Sequence, residues 1–109
     1  MIARFPYLMG GLALMAAMAG GAQAADTASG LEVARKLCVN CHIVEPDGAG
    51  ATVNPAIPSF MAIADKEDQS ESKLRGFVLN PHPPMPEVQL TTHELENIAA
   101  YIMSLKGRL

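Results

Sequence analysis

Apolar and polar positions divide the chain into a uniform opening and a patterned remainder. From Phe5 to Ala19 nearly every residue is apolar and none is charged. Beyond Ala24 the apolar residues return at helical intervals. Gly30, Ala34, Leu37, Cys38 and Cys41 fall on one helix face. Ser29 followed three residues later by Glu32 reads as a capping box. These signals predict a first helix to about Asn40, in which Gly30 weakens the helix but permits a close approach. Residues 45–58 carry Pro46, Gly48, Gly50, Pro55 and Pro58 and read as loop. A short helix is expected over Ser59–Ala64, and a third over about Ser70–Leu79 with Leu74, Phe77 and Val78 facing in. The last helix has the clearest start: Thr91 caps, Glu94 reaches back, and Leu90 can staple to Leu95. Leu95, Ile98, Ile102 and Leu105 form its stripe, with Ala99 and Tyr101 beside it, and Gly107 reads as its stop. Residues 81–86 hold four prolines in six positions, which forbids a helix and favours a stiff, extended strap. No stretch alternates apolar and polar residues, and no segment repeats. The fold class is therefore all-α: three to five short helices with long loops that need something to wrap around.

The opening differs in kind. Arg4 is the only charge before Asp26, and Gly20-Gly21 and Ala22-Gln23-Ala24 close the apolar run. A positive start, a short apolar stretch and a small-x-small end make a secretory signal peptide, residues 1–24. The run of about 15 residues is shorter than the ~20 a spanning helix needs, so a membrane is expected only if this segment is retained. The remaining domain, residues 25–109, is small for a self-sufficient core. The chain has no Trp, and its large aromatic side chains beyond residue 24 are Phe60, Phe77 and Tyr101. A formal net charge of −3 argues against nucleic acid, because phosphate neutralisation needs an excess of Lys and Arg.

The two cysteines, Cys38 and Cys41, stand three apart with His42 directly after. Cys38-Val39-Asn40-Cys41-His42 is the c-type haem attachment signature. Residues three apart at a helix end share a face, so both thiols can meet the vinyl groups along one porphyrin edge. His42 is then placed beneath the iron as proximal ligand. Its second ring nitrogen should donate to a backbone carbonyl, for which Pro55 or Pro58 is suited. A zinc site would need two further ligands, from His82 and His93, in no recognised pattern. A thioredoxin-like redox pair would need strands that this chain lacks. One haem c, attached through Cys38 and Cys41, also answers the size problem. Burying roughly 500 Å² of porphyrin contributes about 12 kcal/mol as an upper figure.

Beyond residue 24 the candidates for the sixth iron ligand are Met61, Met85, Met103, His82 and His93. Met61 and Met103 lie in helices, where Met usually fills core. Met85 sits between Pro84 and Pro86, so its backbone is held stiff and its ordering costs little entropy. His82 is the rival in the same strap, with an exposed loop histidine as its plainer reading, and His93 is expected to be solvated.

At these residues the chain resembles class I cytochromes c. Gly30 stands eight residues before Cys38, as in that family, where the glycine lets the first and last helices cross. Ile98 and Tyr101 match the family's packing positions in the last helix, while Ala34 stands where an aromatic is frequent. Pro83-Pro84-Met85-Pro86, then Leu90-Thr91 and Glu94, resembles the axial-methionine region. The resemblance implies a cytochrome c-like fold around one covalent haem, with His42 and Met85 as axial ligands. It also implies single-electron transfer in a bacterial periplasm. Transient redox partners are expected, such as a periplasmic dehydrogenase, reductase or terminal oxidase. No nucleophile–base pair or phosphate loop suggests an enzyme. The alternatives are a haem sensor or gas-binding module with an open or displaceable sixth site, and the haem subunit of a periplasmic dehydrogenase or oxidase.

Overall fold

The computed structural model describes residues 24–48, 54–81 and 83–109, together with Ala3. The expected signal segment and His82 thus lie outside the described residues, apart from Ala3 and Ala24. Four helices follow in order: α1 Thr27–Leu37, α2 Phe60–Ala64, α3 Glu71–Leu79 and α4 Thr92–Ser104. No strand occurs among the described residues, and no described helix is long and apolar enough to cross a membrane.

Each helix starts where a short polar side chain can accept from a free backbone N–H. Ser59 accepts from Ala62 N and Ser70 from Lys73 N, both at 3.1 Å. Thr91 and Glu94 form the full reciprocal capping box, at 3.1 Å and 3.0 Å. The start of α1 corrects the expectation. Asp26, not Ser29, is the cap: its Oδ1 accepts from Ala28 N at 2.9 Å, and its Oδ2 takes the Ser29 hydroxyl at 2.8 Å. The Asp26 N–H in turn donates to Asn97 Oδ1 at 2.8 Å, so α4 helps set where α1 begins. At the far end, Gly107 has φ +79° and its N–H donates to Asp65 Oδ1 at 2.7 Å. This stops α4 and ties it to the end of α2.

α4 is the organising element and packs against each of the other three helices. Leu95, Ile98, Ala99, Ala100, Tyr101 and Ile102 are buried along it, and Leu105 just beyond. The α1–α4 crossing depends on Gly30. A Cβ there would lie 2.1 Å from the Asn97 carbonyl oxygen and 2.8 Å from Tyr101 Cβ. One turn on, Ala34 is wholly buried, so a small residue fits tightly where the family often carries a ring. Phe60, Met61 and Ala64 of α2 and Leu74 of α3 complete the centre with Val44.

Two inward expectations are not met. Leu37, placed on the same face as Gly30 and Ala34, is 45 % exposed, and Phe77 of α3 is 51 % exposed. Helical periodicity assigned both to an apolar face, but the protein alone does not cover that face. The strap also departs from a fully extended course, turning at residues 83–85.

Candidate functional site

The site begins where α1 ends. Cys38 is the C-cap, its N–H bonded to the Ala34 carbonyl at 2.8 Å. The helix stops at Leu37 rather than near Asn40, yet its geometry persists for one more turn. Cys41 N and His42 N both donate to the Cys38 carbonyl, at 3.2 Å and 2.9 Å. That turn presents two thiols and an imidazole from five consecutive residues. Cys38 is half-buried and Cys41 exposed.

His42 is held from the segment before α2. Its Nδ1 donates to the Pro58 carbonyl at 2.7 Å. A carbonyl only accepts, so this bond puts a proton on Nδ1, and Nε2 is the ring nitrogen left to bind a metal. Of the two prolines suggested by the sequence, Pro58 therefore supplies the carbonyl. Two residues on, the Phe60 N–H donates to the Ile43 carbonyl at 2.9 Å, so the two segments are joined at both ends. The Phe60 ring lies 5.4 Å from the His42 ring, tilted by 47°, and 6.4 Å from the Tyr101 ring. Neither Phe60 nor Val44 stood out in the sequence as part of this site. Their contacts join distant segments, and no local pattern signals them.

The competing chemistries fit less well. Burial pushes the Cys38 thiol up to about 11, with the neighbouring Cys41 adding to the effect. A redox-active pair needs the reverse, a thiolate stabilised below its ordinary range. A zinc site needs about four ligands, but no three His, Cys, Asp or Glu side chains gather as one among the described residues.

The other sequence candidates fall into place separately. Met61 is buried in the core and Met103 packs against it, as filler. The His93 side chain is 81 % exposed, 4.0 Å from Glu96. Met85 is half-buried in the turn of the proline strap.

The donor set suits a flat, apolar, iron-bearing group. Two thiols three residues apart are suited to thioether formation, and the imidazole offers Nε2. Leu37 beside Cys38, and Phe77 and Leu79 on α3, keep large apolar surfaces exposed.

A match to the Cytochrome c family spans residues 27–106, from the start of α1 to just past α4. The chain belongs to the cytochrome c family, and within it to the class I c-type cytochromes. It is 40 % identical over 92 residues to cytochrome c-552 of Bradyrhizobium diazoefficiens, covering 84 % of this chain and 86 % of that protein. No solved structure gives a significant match. The family carries covalently bound haem c, and Cys38 and Cys41 have its attachment spacing. Haem-based electron carriage to and from redox proteins is the function this establishes.

Proposed function

We propose that the chain is an exported, periplasmic single-electron carrier with His/Met axial ligation. Residues 1–24 are a cleaved signal peptide and residues 25–109 the monohaem domain. Cys38 and Cys41 hold the haem through thioethers, His42 Nε2 is the proximal ligand and Met85 the distal one. The observation that carries this reading is the His42 Nδ1 bond to Pro58, which orients the ring and strengthens Nε2 as a donor.

When bound, the haem supplies the one-electron Fe(III)/Fe(II) couple. The protein's residues set its working conditions. Pro84 and Pro86 restrict the backbone on either side of Met85, so the thioether is presented with little entropy left to lose. A thioether ligand raises the reduction potential relative to a second imidazole, and a dry surrounding acts in the same direction. Partners meet such a carrier briefly, over small contacts.

Potentiometric titration of wild type and Met85→Ala tests the assignment. The variant is expected to titrate at a lower potential while retaining covalent haem on a denaturing gel. An unchanged potential would remove Met85 from the coordination sphere.

A further inference from the structure

The four residues from His42 to Glu45 are each tied to a different residue elsewhere. His42 Nδ1 donates to the Pro58 carbonyl at 2.7 Å, and the Ile43 carbonyl accepts from Phe60 N at 2.9 Å. The Val44 carbonyl accepts the buried Tyr101 hydroxyl at 2.5 Å, across 57 residues of sequence. Glu45 pairs with the Arg35 guanidinium. The ties come from the pre-α2 segment, from the first residue of α2, from α4 and from α1. Val44 itself is wholly buried, so its carbonyl has no ready exchange for water. Tyr101 also reaches His42 by a second route, since the Phe60 ring stands between the two.

We propose that Tyr101 from inside and Arg35 from outside are positioning residues for the His42 imidazole: by pinning Val44 and Glu45 they hold its Nδ1 on the Pro58 carbonyl. This rests on His42 being the proximal ligand. The Tyr101 atom nearest the Gly30 crossing is its Cβ, 2.8 Å from where a Gly30 Cβ would sit, whereas its hydroxyl bonds Val44. Removing the hydroxyl therefore loosens the His42 segment without opening the helix pair. Arg35→Gln removes the outer tie alone.

The experiment uses haem-loaded wild type, Tyr101→Phe and Arg35→Gln, with labelled histidine nitrogen, observed by NMR in the ferric state. Two quantities are read: the paramagnetic shift of the His42 ring and the solvent exchange rate of its Nδ1 proton. The exchange rate is compared with those of the Ile98 and Ile102 backbone amides of α4. In Tyr101→Phe the Nδ1 proton should exchange roughly tenfold faster than in wild type, and in Arg35→Gln about two- to threefold, the size expected for losing one tie. The α4 amides should change by clearly less, and the His42 shift should move. Equal acceleration of Nδ1 and the α4 amides with an unmoved His42 shift would overturn the proposal, since it would mean general destabilisation. If Tyr101→Phe fails to mature, an Arg35→Gln protein with unaltered Nδ1 exchange overturns it equally. A wild type whose His42 ring shows no paramagnetic shift would instead refute the proximal-ligand assignment, so the two failures are distinguishable.

Discussion

Gly30→Ala puts the helix crossing to a direct test, because two effects of known sign oppose each other. In an open helical position Ala is favoured over Gly by about 0.8–1 kcal/mol. At Gly30 the added carbon would lie 2.1 Å from the Asn97 oxygen and 2.6 Å from its carbonyl carbon, where ordinary contact begins near 3.4 Å. The obstacle is backbone in mid-α4, so no side chain can swing aside. The helices would have to separate by about 1.3 Å, the difference between those two distances. That loosens Ala34 and Ile98 and stretches the Tyr101–Val44 bond. Overpacking of this kind costs typically 1–3 kcal/mol, and more against rigid backbone. With the obstacle rigid backbone at 2.1 Å, the cost is taken at about 3–4 kcal/mol, and the net loss after the propensity gain is about 2–3 kcal/mol. For a domain of this size that lowers Tm by roughly 10–20 °C. Denaturant unfolding of the haem-loaded protein, followed by far-ultraviolet circular dichroism, should show a lower midpoint. A variant as stable as wild type or more so would refute the close crossing, because propensity alone would then govern the position.

Gly76 supplies the opposite case: a Cβ in α3 there meets nothing within 4 Å, so Gly76→Ala should raise the unfolding midpoint by the equivalent of about 0.5–1 kcal/mol. Thr91→Ala removes half of the α4 capping box and should cost about 1 kcal/mol at neutral pH in the same assay. Stability against pH carries its own sign. Hydrogen bonds from the Thr91 backbone and side chain hold Glu94 below its ordinary 4.5, and those from Ser29 and Ala28 hold Asp26 below 3.8. Depressed carboxylates stabilise the fold above their unfolded values and lose that effect as pH falls through the folded ones. The midpoint should therefore decline below about pH 4.5, and less steeply in Thr91→Ala.

The local signals read most faithfully. Thr91 with Glu94 announced α4, Ser59 and Ser70 sat at the starts of α2 and α3, and the five-residue haem signature needed no tertiary context. Ser29-x-x-Glu32 misled because the pattern reads only local sequence, while the true cap is set elsewhere: the Asp26 N–H is claimed by Asn97 on α4, and the Ser29 hydroxyl goes to Asp26. Leu37 and Phe77 were assigned inward because periodicity reports an apolar face and not what covers it. Both stay exposed in the folded protein, Leu37 at 45 % and Phe77 at 51 %. Val44 lay beside a segment read as loop, yet it is wholly buried, and its value comes from a hydroxyl 57 residues away. Pairings of that span leave no trace in spacing or composition.

The most direct test of the account is the ferric and ferrous optical spectrum of haem-loaded wild type, recorded before and after carbon monoxide. Closed His42/Met85 ligation should give the long-wavelength charge-transfer band of thioether on ferric iron. It should also leave the ferrous spectrum unchanged by the gas. Attached haem with no such band and prompt carbon monoxide binding would contradict it, and would make this chain a ligand-binding haem protein instead of a closed electron carrier.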